Sequence, residues 1–194
     1  RLGVIPTIAP YLMPLLIPSF AHGLPNAELR LSENFTHELE KAVVAGDLDA
    51  AIIASSPRLP QLASIPLYQE PFWVALPTGH PLTAHDEIAL RDLSGEQLLL
   101  LKDGHCLRDQ VLSLFPANSR RKPTISTEDT SLNTILALVG SGYGMTFVPA
   151  MSISGPWVTD AGISVRKEKS GKAFRTVHLV CRQSFSRMGM INKL

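Results

Sequence analysis

The 194 residues predict an α/β fold made of two units in which strands and helices alternate. Three observations point there. Short apolar runs alternate with stretches of helical periodicity along most of the chain. The alternation ends a first set at Ala54 and restarts near Pro71. A late apolar run, Thr176–Cys181, reads as a strand returning to the first unit. Repeated strand–helix–strand order implies right-handed crossovers and mainly parallel sheets with helices on both faces. On this reading residues 1–70 with 176–194 form one unit and residues 71–175 the other. Two units joined twice leave a cleft, and open α/β sheets bind ligands at the carboxyl ends of their strands.

In order, Leu2–Ile5 reads as a strand, and Thr7 as the N-cap of a helix running to about Ala21. Pro6, Pro10, Pro14 and Pro18 recur every four residues, so Pro14 and Pro18 are expected to kink that helix or make its second half irregular. Pro25 ends the connection, and Glu28–Glu33 is a second strand. Thr36–Ala45 places Leu39, Val43 and Val44 at helical spacing and closes on Gly46, a C-cap residue. Leu48–Ala54 follows as a strand buried on both faces.

In the second set Phe72–Leu76 is a strand, Pro77–Pro81 a turn and Ile88–Leu93 a short helix. Gln97–Leu101 is an apolar strand leading into Asp103-Gly104-His105-Cys106, after which a helix runs to about Phe115. Ile125–Thr127 is a strand, Ser131 caps a helix ending near Gly140, and Gly142-Tyr143-Gly144 turns into the strand Met145–Val148. A final segment from Ser184 has helical character.

The composition, 45% hydrophobic and 18% charged, supports a real core. A net charge of +1 provides no dense positive field for a phosphate backbone. The tight basic cluster Arg120-Arg121-Lys122, beside Pro123, reads as a solvated loop. Apolar runs fall short of a membrane span, and the proline-broken opening stretch does not read as a signal peptide. Two distant cysteines, Cys106 and Cys181, argue for reduced thiols in a cytoplasmic setting.

Cys106 carries the sharpest chemistry. It falls in the first turn of its helix, with Asp103 placed to cap and Arg108 two residues on, where free amide hydrogens and the helix dipole favour a thiolate. Its bland counterpart is a cysteine that merely packs. Thr7 and Thr36 each follow a strand and open a helix, as Gly104–Cys106 and Ser131 do. Such helix starts either bind small polar or anionic ligands or serve only as N-caps. Neither a cofactor nor a metal is called for. His37 and Glu38 lack a second histidine at ligand spacing, His80 and His85 read as solvated, and Gly142-Tyr143-Gly144 lacks a dinucleotide fingerprint. His105 and Cys106 are successive and not expected to face each other as a hydrolase dyad.

Several stretches resemble LysR-type transcriptional regulators. Arg1-Leu-Gly-Val-Ile-Pro-Thr-Ile-Ala-Pro-Tyr-Leu is similar to the start of their effector domain. So are Asp47-Leu-Asp-Ala-Ala-Ile, His80-Pro-Leu, Asp92-Leu-Ser-Gly and Gly142-Tyr-Gly-Met-Thr-Phe-Val-Pro, which together span nearly the whole chain. The resemblance implies two Rossmann-like subdomains with a cleft between them, as in periplasmic binding proteins. It implies a preceding DNA-binding helix-turn-helix that these residues do not contain, a homodimer, and a tetramer at full length. Asp103-Gly-His-Cys-Leu-Arg-Asp-Gln110 resembles the reactive-cysteine motif of the family's peroxide-sensing members. Carried over, Cys106 is the redox-sensing thiol, and Thr7, Thr36, His105, Arg108 and Asp109 are ligand-binding candidates; Gly104 and Ser131 join them as helix starts that could face the cleft. Those members carry a resolving cysteine nine residues on, where this chain has Phe115.

Three functions compete. The leading expectation is a non-enzymatic sensing domain that answers hydrogen peroxide through Cys106. The alternative is an effector domain that reversibly binds a small anionic metabolite in the cleft. The third, a thiol peroxidase or hydrolase, lacks both a resolving cysteine and a well-placed base.

Overall fold

Strand β1, Leu2–Val4, has all three side chains buried. It lies between two parallel neighbours, β2 at Leu31–Glu33 and β3 at Ala50–Ile53. The structure, a computed structural model, describes residues 1–116, 130–154, 158 and 162–185. Helix α1, Ala9–Gly23, follows β1, and helix α2, Thr36–Ala45, follows β2. A Cβ on Gly3 would stand 2.5 Å from Leu39 and 2.6 Å from Leu48, so the glycine admits α2 against the sheet. Gly46 ends α2 at φ 87°, and Arg182 donates to the carbonyls of Val43 and Leu48, meeting acceptors the helix end leaves open.

The chain divides into two compact units, Arg1–Tyr68 with Thr176–Leu194 and Gln69–Arg175. It crosses between them within two long strands, β4 at Leu62–Pro77 and β8 at Phe174–Arg182. In the first unit the strand order is β2-β1-β3-β8-β4, with β8 antiparallel to β3 and Cys181 opposite Ala50. Val4, Leu39, Val43, Ile52, Ile53 and Val180 form its core, each at most 2% exposed.

In the second unit β4 pairs antiparallel with β6, Thr146–Pro149, and with β7, Ile163–Glu168. Strand β5, Glu87–Ile88, runs parallel to β7. Helices α3, Cys106–Ser113, and α4, Leu132–Gly140, bring Leu107, Val111, Ile135 and Leu136 into the core beside Phe147. Where the chain enters and leaves this unit, Arg175 Nε donates to Glu70 at 2.8 Å with both side chains almost fully buried. The other Glu70 oxygen accepts from the Met151 N–H.

The α/β class stands, but the pairing is less parallel than expected. Within the second unit the sheet is largely antiparallel, because β4 takes antiparallel neighbours on both edges. Helix α1 is continuous through Pro14 and Pro18. Its N-cap is Ile8 rather than Thr7, because Ile8 N and Ala9 N both bond the Ile5 carbonyl and hold residues 6–8 in a turn ahead of the helix. Residues 97–101 make one bridge, Leu98 with Met145, instead of a full strand. The helix expected at Ile88–Leu93 splits into β5 and a 3₁₀ turn, Leu90–Leu93. The expected strand Ile125–Thr127, the cluster Arg120-Arg121-Lys122 and the tail past Phe185 lie outside the described residues. Among the described residues no helix is long and apolar enough to cross a membrane.

Candidate functional site

In the first unit, Val4 of β1 pairs with Glu33 of β2. Thr7 and Thr36 each stand three residues beyond these partners, so they occupy equivalent places past the carboxyl ends of adjacent parallel strands. Asn34 N bonds the Val4 carbonyl and ties the two connections together. Thr7 is buried at 2% exposure and does not cap α1. Thr36 is the first residue of α2, whose N-cap, Phe35, has no capping side chain. The Thr36 Oγ1 is buried, with no hydrogen-bond partner among the described residues. A native structure holds few such hydroxyls, and each needs a reason.

In the second unit the site is the turn that opens α3. Gly104 adopts φ 100°, a left-handed conformation that a side chain would strain, and this reverses the chain into the helix. His105 follows as the N-cap, buried at 8%, and Cys106 is the first helical residue, with a half-buried thiol outside any disulfide. Burial, and secondarily the Lys102 charge, push the His105 imidazole below the usual histidine range, which favours its neutral form. Asp109 is exposed in the first turn of α3, where a carboxylate suits the helix dipole.

Asp103 does not cap α3, contrary to expectation. Its carboxylate reaches 2.6 Å to Arg108 Nε, and Arg108 Nη1 donates to the Leu101 carbonyl at 3.1 Å. The guanidinium thus staples the segment before Gly104 to the first turn of the helix. Sequence spacing gave no hint of this, because the pairing depends on the Gly104 reversal. Ser131 is an N-cap: its hydroxyl accepts from Thr134 N and contacts Thr134 Oγ1, each at 3.2 Å.

The second cysteine differs in kind. Cys181 lies in β8 of the first unit with no exposed surface, and burial pushes its thiol up against a smaller opposing effect of Arg182. Phe115, just past α3, packs edge-on against Phe147 with centroids 5.9 Å apart. Among the described residues, no three His, Cys, Asp or Glu side chains gather as a metal site requires.

The family model described as the LysR substrate binding domain matches residues 1–189. The chain is 34% identical over its full length to a hydrogen peroxide-inducible genes activator of Dickeya chrysanthemi, of which it covers 63%. It is 37% identical to the DNA-binding transcriptional dual regulator OxyR of Escherichia coli K12, over 79% of this chain and 50% of that protein. The chain therefore spans between half and two thirds of these relatives. Among solved structures, the reduced OxyR regulatory domain from Pseudomonas aeruginosa aligns with a TM-score of 0.89 at 38% identity, covering 99% of this chain and 92% of that one. A cysteine-to-serine variant of Corynebacterium glutamicum OxyR with hydrogen peroxide bound aligns with a TM-score of 0.88 at 32% identity, covering 99% of this chain and 61% of that one.

Proposed function

The chain belongs to the LysR substrate-binding domain family, and from that premise we propose that it is the peroxide-sensing regulatory domain of a cytoplasmic transcription factor. The observation that carries the reading is the contrast between its two thiols. Cys106 sits half-buried at the first position of a helix, directly after a buried histidine, whereas Cys181 is sealed in a sheet. Helix starts of this kind favour the thiolate, the form that attacks peroxide. Relatives and structural neighbours named for hydrogen peroxide response support the same reading.

The Cys106 thiolate attacks one oxygen of hydrogen peroxide, an S–O bond forms, and the O–O bond breaks. The departing hydroxide takes up a proton and leaves as water, and Cys106 becomes a sulfenic acid. The neutral His105 imidazole is suited to exchange that proton, and Arg108, held by Asp103, keeps a positive charge on the same turn. The Gly104–Cys106 amides are the donors that would orient the oxygen pair, and Thr7 and Thr36, which match the family's polar site residues, are ligand-binding residues on the first unit. Asp109 would bias the first turn, and Ser131, with its hydroxyl on its own helix, would offer only backbone amides. Phe115 brings no sulfur, so the oxidised state would persist as sulfenic acid or be resolved by a thiol from another molecule. The domain acts stoichiometrically rather than as an enzyme. It works as a homodimer, within a tetramer at full length, and reads DNA through a helix-turn-helix outside these residues.

The test is the second-order rate of Cys106 with hydrogen peroxide, followed by intact mass with peptide assignment. A rate well above that of free cysteine supports the reading. A rate no faster than free cysteine leaves the family's other mode, reversible binding of a small anionic metabolite, as the function.

A further inference from the structure

A second feature of the Gln69–Arg175 unit is independent of the peroxide reading. Residues 97–101 alternate in burial: Leu99 and Leu101 are 1% and 3% exposed and face the core. Leu98 and Leu100 are half-buried on the opposite side. They form one wall of a cavity of about 460 Å³, a size typical of small-molecule sites. Leu112, Leu114 and Phe115, from the end of α3 and just beyond it, form another wall. A space lined this way gives water few hydrogen-bond partners, so an apolar occupant gains by displacing it.

The polar groups at this cavity are few and unequal in charge. Glu96 lines it, but its carboxylate already faces His80 Nε2 at 3.4 Å. Arg91 is the one cation among the described lining residues. Its side chain is 86% exposed, and among the described residues its one ion-pair contact is a long 3.6 Å approach to Asp92, whose other oxygen accepts from Ala89 N. The guanidinium therefore keeps donors free on the solvent side of an apolar pocket.

We propose that this cavity binds a small amphiphilic anion, with its apolar body against the leucines and Phe115 and its acidic head beside Arg91. The chemistry fits a medium-chain or aromatic monocarboxylate. Because the pocket lies wholly within one unit, binding needs no residue from the other.

The 194-residue chain is titrated with 8-anilinonaphthalene-1-sulfonate, an apolar ring system with one anionic group. Decanoate, decanol and decylammonium then compete for the site. Saturable binding of one probe per chain is expected, displaced by decanoate and not by decylammonium, with decanol about two- to fivefold weaker than decanoate, as a partly exposed ion pair would give. Arg91→Gln should weaken decanoate by the same factor and leave decanol unchanged. Leu100→Trp and Leu114→Trp fill the cavity from different walls, and each should cut probe affinity more than tenfold. The surface variant Arg91→Gln remains decisive should either tryptophan variant fail to fold. Probe binding that survives in both folded tryptophan variants overturns the proposal, as does equal competition by decanol and decanoate. Concentration-dependent dimerisation that Leu100→Trp abolishes, with no saturable probe binding, also overturns it and assigns the wall to a second copy of the chain.

Discussion

Replacing Thr36 by valine tests the proposed site in two ways, because burial of its hydroxyl predicts a gain in stability whereas the proposed role predicts a loss of reactivity. The Thr36 hydroxyl is buried without a partner, and leaving a polar group so costs about 1–3 kcal/mol. Valine keeps the shape, removes that cost and adds one apolar carbon, worth about 0.8 kcal/mol if fully buried. Thr36 opens α2 rather than lying inside it, and the two residues have nearly equal helix propensity. The net expectation is a gain of about 1–2 kcal/mol, read from the urea midpoint at unchanged slope. If the same hydroxyl orients peroxide, its loss should slow Cys106 oxidation roughly a hundredfold. Such a trade is common where an active site holds a group the fold does not need. A variant about 1 kcal/mol less stable than the parent would mean the hydroxyl is bonded in the folded chain. An unchanged oxidation rate would remove Thr36 from the site.

The remaining expectations follow from burial. Under native conditions a thiol reagent should modify Cys106 many times faster than Cys181, which reacts only on unfolding; equal rates on single-cysteine variants would refute this. After peroxide treatment, peptide mapping should find sulfenic or higher oxidation at Cys106 and no Cys106–Cys181 bridge, because Cys181 is sealed in its sheet; a dominant intrachain disulfide would refute this. His105 is held below the usual histidine range by burial and then by Lys102, and His178 by burial. The unfolded chain therefore takes up protons near about pH 6.5, where the folded chain does not, so stability is full above that value and declines as pH falls below it. His105→Gln should flatten the decline, and stability that rises on acidification would show the sign to be wrong.

Helices were legible where local pattern and tertiary packing agree. Leu39 and Val43 at helical spacing with Gly46 behind them marked α2, and Ser131 does cap α4 as its position ahead of an apolar run suggests. Strands with two apolar faces, such as β3, were plain in the sequence; the exposed β2 was read within Glu28–Glu33, but other half-exposed strands were missed. Strand β7, Ile-Ser-Val-Arg-Lys-Glu, buries only its two ends, so it carries no apolar run. The first half of β4 is broken by Pro66 and largely exposed. Such strands form because their neighbours supply ladder partners, which sequence does not show. At the candidate site, the strand–glycine–helix order placed Cys106 in the first turn. The role of Asp103 was hidden, because a short acidic residue before a helix suggests a cap until the Gly104 turn brings Arg108 within reach. The solitary Thr36 hydroxyl was equally invisible, since satisfaction is a property of the packed interior.

The buried pairing of Arg175 with Glu70 has a consequence for how such a domain can diversify. Loss of the arginine by one codon change leaves a carboxylate in the interior without its cation, and loss of the glutamate takes the buried carboxylate from the guanidinium and the Met151 amide. Either step costs on the order of 3–5 kcal/mol, a large share of an ordinary domain's stability. A lineage that drifts at one of these positions should therefore carry a matching change at the other. An apolar pair of similar volume is the most accessible exchange, since replacing both charges together is often neutral. Positions 70 and 175, far apart in the gene, are expected to share a common history.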